Sequence, residues 1–348
     1  MRVHHFTATL SPRDAVGFHT LAVDDLLREM GHRTTLYAQS IHPELTDRAR
    51  HFRDQPDDPV PDVLLYQAST GSPVADHLLG RPEPLVLDYH NLTPAEAFDP
   101  WEPHIGAELD AGRRQLVRLA RRAVAAVADS RFNADELVAL GLDAVRVAPV
   151  LFDPPDPPQR IADPDRPPTV LFVGRLAPNK RQQDLIAAVA DLRHRQPDAR
   201  LVLIGASSSA RYEEALRAFA AEVAPGGVDF AGSIPYADLV ASYGTADVFV
   251  CLSDHEGFCV PVIEAMGAGL PVIAKATAVL PETVGDAGLL LTDPGPNDVA
   301  TAIEQVLDDA DLRAAMAEQG RRRAASFAPE RTRAIMRAEL GDILESLA

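Results

Sequence analysis

The sequence predicts an α/β protein made of two doubly wound domains, and three observations carry the prediction. Strand-like apolar runs alternate with helical patterns in the first half, a proline-rich stretch interrupts them near the middle, and the alternation then restarts. In the first half the apolar runs fall at 34–38, 62–66, 85–89, 123–128 and 145–148, with helical or loop segments between them. The opening residues, Met1-Arg2-Val3-His4-His5, lead into a short mixed segment and then Asp14, without the long apolar region of a signal peptide. A helix is expected over 18–30, with Leu21, Leu26 and Leu27 on its apolar face and Gly31 marking its end.

The stretch 153–168 reads DPPDPPQRIADPDRPP, too rich in proline to continue a sheet or a helix, and is expected to be a semi-rigid linker. It separates an N-terminal domain, 1–152, from a C-terminal one, 169–328. Beyond it, strands are expected at 169–173, 200–204, 228–231, 247–251 and 271–274, with helices at 181–195, 210–223, 236–243 and 260–267. After Pro296 the pattern is almost wholly helical, and the last amphipathic stretch, 329–348, follows a completed second sheet and is expected to return to the first domain. Two such domains joined by a hinge would hold a ligand in a cleft, because the carboxyl ends of parallel strands and the following helix N-termini face it.

Composition narrows the choice of ligand. The formal net charge of −18 argues against general nucleic-acid binding, since so acidic a surface repels phosphate backbones. No stretch approaches the 18 apolar residues of a spanning helix. Two cysteines, Cys251 and Cys259, offer neither a disulfide framework nor a zinc pattern, and a reducing cytoplasm is the simplest location. Of the 33 basic residues only two, Lys180 and Lys275, are lysines. In a chain so biased to arginine, a retained lysine points to a chemical requirement that arginine does not meet.

Two segments carry chemistry. In the first, a buried strand ends at Gly174 and the turn presents Arg175 and, five residues on, Lys180 beside the next helix. A guanidinium and an ammonium at a helix N-terminus suit a diphosphate, although ordinary surface cations would read the same way. In the second, His255-Glu256-Gly257-Phe258-Cys259-Val260 leads from a strand into a helix that carries Glu264. Glu256 can accept from sugar hydroxyls, Glu264 can hold a ribose diol, and the amides of Phe258, Cys259 and Val260 form an anion site. A metal site or a solvated helix face is the alternative, weakened by the cost of an unpartnered carboxylate in the apolar helix around Glu264.

These residues resemble the retaining glycosyltransferases of the GT-B fold, family GT4. Glu256 and Glu264 match that family's Glu, seven residues, Glu, and Gly174, Arg175, Leu176 and Lys180 match its Gly-Arg-Leu, three residues, Lys. The resemblance covers essentially the whole chain and is strongest over 169–292. It implies two Rossmann-like domains and a nucleoside-diphosphate sugar as co-substrate, with a UDP- or GDP-sugar favoured. It further implies that Arg175 and Lys180 bind the donor diphosphate, Glu264 the ribose and Glu256 the transferred sugar, with Ile234 near the base-binding strand end. In the first half, Asp14-Ala15-Val16-Gly17 stands where the family has a glycine-rich loop, so Gly17 is expected close to the donor phosphate or the acceptor. His90 corresponds to the family's active-site histidine, and Asp129-Ser130 to its strand-end serine.

Other segments carry weaker expectations. Asp99, Trp101 and His104 are candidates for an acceptor pocket, with packing as the alternative for Trp101. Arg113, Arg114, Arg118, Arg121 and Arg122 read as a solvated helix face, with docking on anionic lipid as the minor alternative. Asp163-Pro164-Asp165 has the form of an Asp-X-Asp metal motif but sits in the linker, so no metal is assigned. Cys259 is a candidate reactive thiol and Cys251 a core residue. The expected activity is metal-independent, retaining transfer of a hexosyl group to an acceptor hydroxyl by same-face attack. No carboxylate is placed as the nucleophile of a double displacement. A GT-B phosphorylase, a nucleotide-sugar epimerase and a non-catalytic sugar-nucleotide-binding subunit remain as alternatives.

Overall fold

The computed structural model describes residues 1–12, 15–55, 60–153 and 165–348. Asp14, most of the 153–168 linker and the Asp163-Pro164 pair lie outside the described residues. The chain divides into two compact units: Met1–Glu96 with His104–Asp153 and Ala328–Ala348, and Pro154–Phe327 with Ala97–Pro103.

The first unit runs β1 (Arg2–Leu10), α1 (Ala15–Glu29), β2 (Arg33–Ile41), β3 (Ala49–His51), β4 (Val63–Ala68), α2 (Pro73–Leu79), β5 (Leu85–Tyr89), α3 (Pro103–Arg122), β6 (Ala125–Ala128), α4 (Arg131–Ala139) and β7 (Val145–Val147). Its strands form one parallel sheet in the order β3-β2-β1-β4-β5-β6-β7. The opening segment is therefore corrected from a mixed stretch to a central strand of nine residues. Its pattern hides because His4, His5 and Thr7 are buried polar residues, as fully enclosed as Val3 and Phe6. A parallel strand covered on both faces has no solvent side to show as alternation.

The second unit repeats the plan: β8 (Thr169–Val173), α5 (Gln182–Arg193), β9 (Arg200–Ile204), α6 (Ala210–Val223), β10 (Val228–Gly232), α7 (Tyr236–Thr245), β11 (Val248–Cys251), α8 (Val260–Gly267), β12 (Val272–Lys275), α9 (Leu280–Val284) and β13 (Leu289–Leu291). Then come α10 (Pro296–Asp308), α11 (Ala310–Ala325) and α12 (Pro329–Ser346). The sheet is parallel in the order β10-β9-β8-β11-β12-β13. Along β8, Val170 and Phe172 enter the core on one face and Leu171 the core on the other, so helices must cover both sides.

In each sheet the strand order reverses once, at β1/β4 and at β8/β11. Loops leaving the carboxyl ends of such a strand pair diverge to opposite faces and leave a crevice. Helix α12 belongs to the first unit, where Met336, Leu340, Ile343 and Leu344 pack with Val3, Val23 and Leu27. The segment 97–103 departs from the expected boundary and falls in the second unit. There the Trp101 ring meets Tyr212 edge-on at 5.0 Å, and Glu102 accepts a hydrogen bond from Ser209 Oγ at 2.7 Å. No helix among the described residues is long and apolar enough to cross a membrane.

Candidate functional site

In the second unit the β8/β11 neighbourhood brings two loops together. Lys180 closes a single 3-10 turn, Pro178–Lys180, after β8, and Glu256 lies in the loop between β11 and α8. Lys180 Nζ stands 2.6 Å from Glu256 Oε1, with both side chains largely shielded. The sequence assigned these residues separate ligand roles, and the structure makes them an ion pair. Ser253 Oγ donates to the same Glu256 oxygen at 2.7 Å. Asn179, which the sequence analysis passed over, stitches the loops: its side-chain amide donates to the His255 carbonyl at 3.2 Å, and its own carbonyl accepts from the Asp254 amide at 2.9 Å. Gln182 is also buried and was also missed. It donates to the Arg175 carbonyl at 3.0 Å and accepts from the Tyr212 hydroxyl at 3.1 Å. The signal available for both was a polar residue within two positions of the candidate Lys180. The Arg175 side chain is exposed.

The turn after β8 is tight. Gly174 has φ +152° and Gly205, at the end of β9, has φ +144°. A Cβ on Gly205 would lie 2.1 Å from the Gly174 carbonyl oxygen, so the two strand ends approach too closely for a side chain there. Cys259 adopts φ +67° immediately before α8, Phe258 is buried, and the Phe258 carbonyl accepts from Thr283 Oγ1 at 2.7 Å. Within α8, Glu264 is half-buried and accepts from the Tyr243 hydroxyl at 2.7 Å. Burial raises the Glu264 carboxyl above its ordinary value, and the Tyr243 hydrogen bond opposes that rise. Ile234 packs against the core beneath α8. Gly257 lies in the loop before α8 and Val260 opens the helix. Lys275 pairs with Asp254 at 2.7 Å, and Asp254 stands 3.6 Å from Arg181.

The first unit holds a separate buried cluster at the end of β5. His90 Nε2 lies 3.2 Å from Asp88 Oδ1, and His90 Nδ1 lies 3.5 Å from Asp129 Oδ2. The other Asp88 oxygen bonds His19 Nε2 at 2.9 Å. The Leu151 amide donates to His19 Nδ1 at 2.9 Å, which places the His19 proton on Nε2, where it is donated to Asp88. Asp129 also accepts from Asn133 Nδ2 at 2.6 Å and from Ser130 Oγ at 3.2 Å. Burial pushes the Asp129 carboxyl up to about 7. His90 is raised despite burial, because two carboxylates face it, while Asp88 between two imidazoles is held far below the carboxylate range. Thus both His90 ring nitrogens are engaged by carboxylates, an arrangement the sequence did not disclose. Gly17 is buried in the first turns of α1, where a Cβ would lie 1.8 Å from the Ser11 carbonyl oxygen.

Among the described residues, two trios bring ligand-type atoms within 4.8 Å of one another: His19, Asp88 and His90, and Cys251, Glu256 and Cys259. The proton on His19 Nε2 occupies the lone pair that a metal would need there, and Glu256 is already engaged by Lys180 and Ser253. Of the acceptor candidates, Trp101 is a packing residue against Tyr212, while Asp99 and His104 are exposed. In α3, Arg113 bonds Glu136, Arg118 pairs with Asp76, and Arg122 donates to backbone carbonyls, so much of that basic face is internally committed.

Residues 156–323, which hold both loops, match the family described as Glycosyl transferases group 1. This region is similar to the group 1 glycosyl transferases. The chain is 34% identical over 190 residues to a GDP-mannose-dependent monoacylated alpha-(1-6)-phosphatidylinositol monomannoside mannosyltransferase of Corynebacterium glutamicum, covering 52% of this chain and 48% of that protein. It is 31% identical over 244 residues to a D-inositol 3-phosphate glycosyltransferase of Salinispora arenicola, covering 64% and 54%. The chain thus spans about half the length of these curated relatives. Among solved structures, a sucrose-phosphate synthase from Thermosynechococcus elongatus superposes with a TM-score of 0.77 at 19% identity over all of both chains. Anabaena HepE, solved with UDP and glucose, gives 0.76 at 19% identity, covering 99% of this chain and all of that one. These neighbours establish the GT-B-type fold of two Rossmann-like units.

Proposed function

We propose that the protein is a retaining glycosyltransferase that moves a hexosyl group from a nucleoside-diphosphate sugar to an acceptor hydroxyl without a metal. The observation that carries the proposal is the Lys180–Glu256 pair, 2.6 Å apart at the β8/β11 strand reversal of the region similar to the group 1 glycosyl transferases. At that position an anionic donor displaces Glu256 as the partner of Lys180. The ammonium then faces the diphosphate and the carboxylate is released to the sugar hydroxyls, so a site neutral at rest divides its charges between the two ends of one ligand. Arg175 adds a second cation, and Glu264, with Tyr243 occupying Oε2, offers Oε1 to the ribose diol. In the transition state the sugar is oxocarbenium-like and the departing diphosphate gathers negative charge, which Arg175 and Lys180 stabilise. The leaving phosphate takes the acceptor proton on the same face. The GDP-mannose named for the relatives and the UDP of the structural neighbour favour a GDP- or UDP-sugar donor.

The test is turnover of GDP-mannose and UDP-glucose with D-inositol 3-phosphate and other polyol acceptors, with product configuration read by NMR. Lys180→Ala and Glu256→Ala should each lower turnover by about 10² or more, the effect of losing one preorganised charged contact. Near-wild-type turnover in both variants overturns the assignment. Product formed from the donor with phosphate or water alone, and none with an added acceptor, overturns the transferase reading.

A further inference from the structure

Both cysteines of the chain meet in the second unit. Cys251 ends β11 and is buried, at 2% exposure, whereas Cys259, immediately before α8, is half-buried. Their Sγ atoms are 3.9 Å apart. Cys251 Sγ also lies 3.3 Å from Ser253 Oγ, whose hydroxyl donates to Glu256 at 2.7 Å, and Glu256 pairs with Lys180. The sulfur pair is therefore two contacts from the Glu256 carboxylate.

We infer that Cys251 and Cys259 form a dithiol modification site, oxidised by a low-molecular-weight disulfide to an intramolecular disulfide that repositions the Glu256 loop and the start of α8. Cys259, the more accessible sulfur, attacks one sulfur of the small disulfide, giving a mixed disulfide and one small thiol. Cys251 then attacks the Cys259 sulfur and releases the second small thiol. One S–S bond of the oxidant is broken and one is formed in the protein, and the two protein S–H protons leave on the two small thiols. The pair is suited to this exchange by geometry: with the sulfurs 3.9 Å apart, Cys251 stands within reach of the Cys259 sulfur once Cys259 has formed the mixed disulfide.

A disulfide requires the sulfurs at about 2.05 Å, so they must close by roughly 2 Å from their present separation. Cys251 is fixed in the sheet by its pairing with β12. The movement therefore falls on Cys259, already in the left-handed region at φ +67°, and on the helix that follows it, which carries Glu264. The resulting effect on nucleotide binding rests on the donor-site reading above, whereas the oxidation itself does not.

Because the chain holds no other cysteine, the chemistry is directly countable in the full-length protein. Incubation with oxidised glutathione should take the titratable thiols from two to none, lower the intact mass by two hydrogens and leave the chain monomeric on a non-reducing gel. Cys251→Ser should stop at one glutathione adduct, and Cys259→Ser, which keeps only the buried Cys251, should remain unmodified. A wild-type protein that keeps two thiols, or stops at adducts, overturns the site. Thermal shift with GDP and UDP provides the second arm: oxidation should reduce the response of the wild type at least tenfold in apparent affinity and be reversed by dithiothreitol. An equal response from reduced and oxidised protein overturns the coupling. If reduced protein shows no response to either nucleotide, the donor reading fails, while the thiol count and mass still decide the disulfide.

Discussion

Tyr243→Phe isolates one hydrogen bond in the donor half. The phenol is fully enclosed and its hydroxyl donates to Glu264 Oε2 at 2.7 Å, while the ring packs beside Phe249. Phenylalanine retains the ring and removes only the donor. A hydrogen bond to a charged group contributes about 1.5–3 kcal/mol, against about 0.5–1.5 for a neutral pair. The variant should therefore lose about 2 kcal/mol at neutral pH, a change of up to about thirtyfold in the folded-to-unfolded ratio. In an E264Q background, where the acceptor is neutral, the same substitution should cost only about 1 kcal/mol, leaving a coupling of about 1 kcal/mol in a double-mutant cycle. The pH dependence has a definite sign. Glu264 is raised in the folded protein, so its protonated form is favoured by folding, and that contribution is lost as pH rises through the folded value. Removing the Tyr243 hydroxyl raises it further, so the penalty should be small at acid pH, where Glu264 is protonated, and grow as pH rises through its folded value. Urea titrations of the four proteins at several pH values measure this. Equal Tyr243→Phe costs in both backgrounds, or a cost independent of pH, would refute the reasoning.

Asp129→Asn should lower the His90 pKa, because it removes the charge 3.5 Å from Nδ1 while Asp88 stays at 3.2 Å; an NMR titration of the imidazole that does not move argues against the contact. The same variant should flatten the loss of stability between about pH 4 and 7: the Asp129 carboxyl, raised to about 7, favours folding while protonated, and that contribution fades as pH climbs through 7. Gly17→Ala should cost about 1–3 kcal/mol in urea unfolding, since its Cβ would meet the Ser11 carbonyl and the start of α1 must shift; an unchanged midpoint would show that the turn yields freely. Leu340→Ala, in the face of α12 buried with Val3 and Val23, should cost about 2–5 kcal/mol, and a loss under 1 kcal/mol would mean the helix docks weakly.

Much of the second unit was legible because its strands are short, apolar and punctuated by Gly174, Gly205 and Gly232. Arg175, Lys180, Glu256 and Glu264 stood out as charges beside apolar strands. What escaped was polar and buried. His5, Asn133, Asn179 and Gln182 are enclosed, yet in a linear reading each resembles a surface residue. Their role appears only with their partners, as when Asn179 joins its loop to that of His255. For Trp101 the sequence allowed packing but not its partner, since Tyr212 lies in a different part of the chain.

By itself the sequence determined that two parallel α/β arrays follow one another, that the chain is strongly acidic, and that cations and carboxylates cluster in the loops after two strands. These are local properties, set by periodicity, glycine and proline placement and side-chain charge. Only the tertiary structure decided that β8 lies beside β11, and with it that Lys180 faces Glu256, that Cys251 meets Cys259, and that both His90 nitrogens are claimed by carboxylates. The physical reason is strand order: in a parallel sheet neighbours are joined by crossovers, so side chains that share a hydrogen bond at the carboxyl edge are remote in sequence, and their pairing is set by the packing of whole strands.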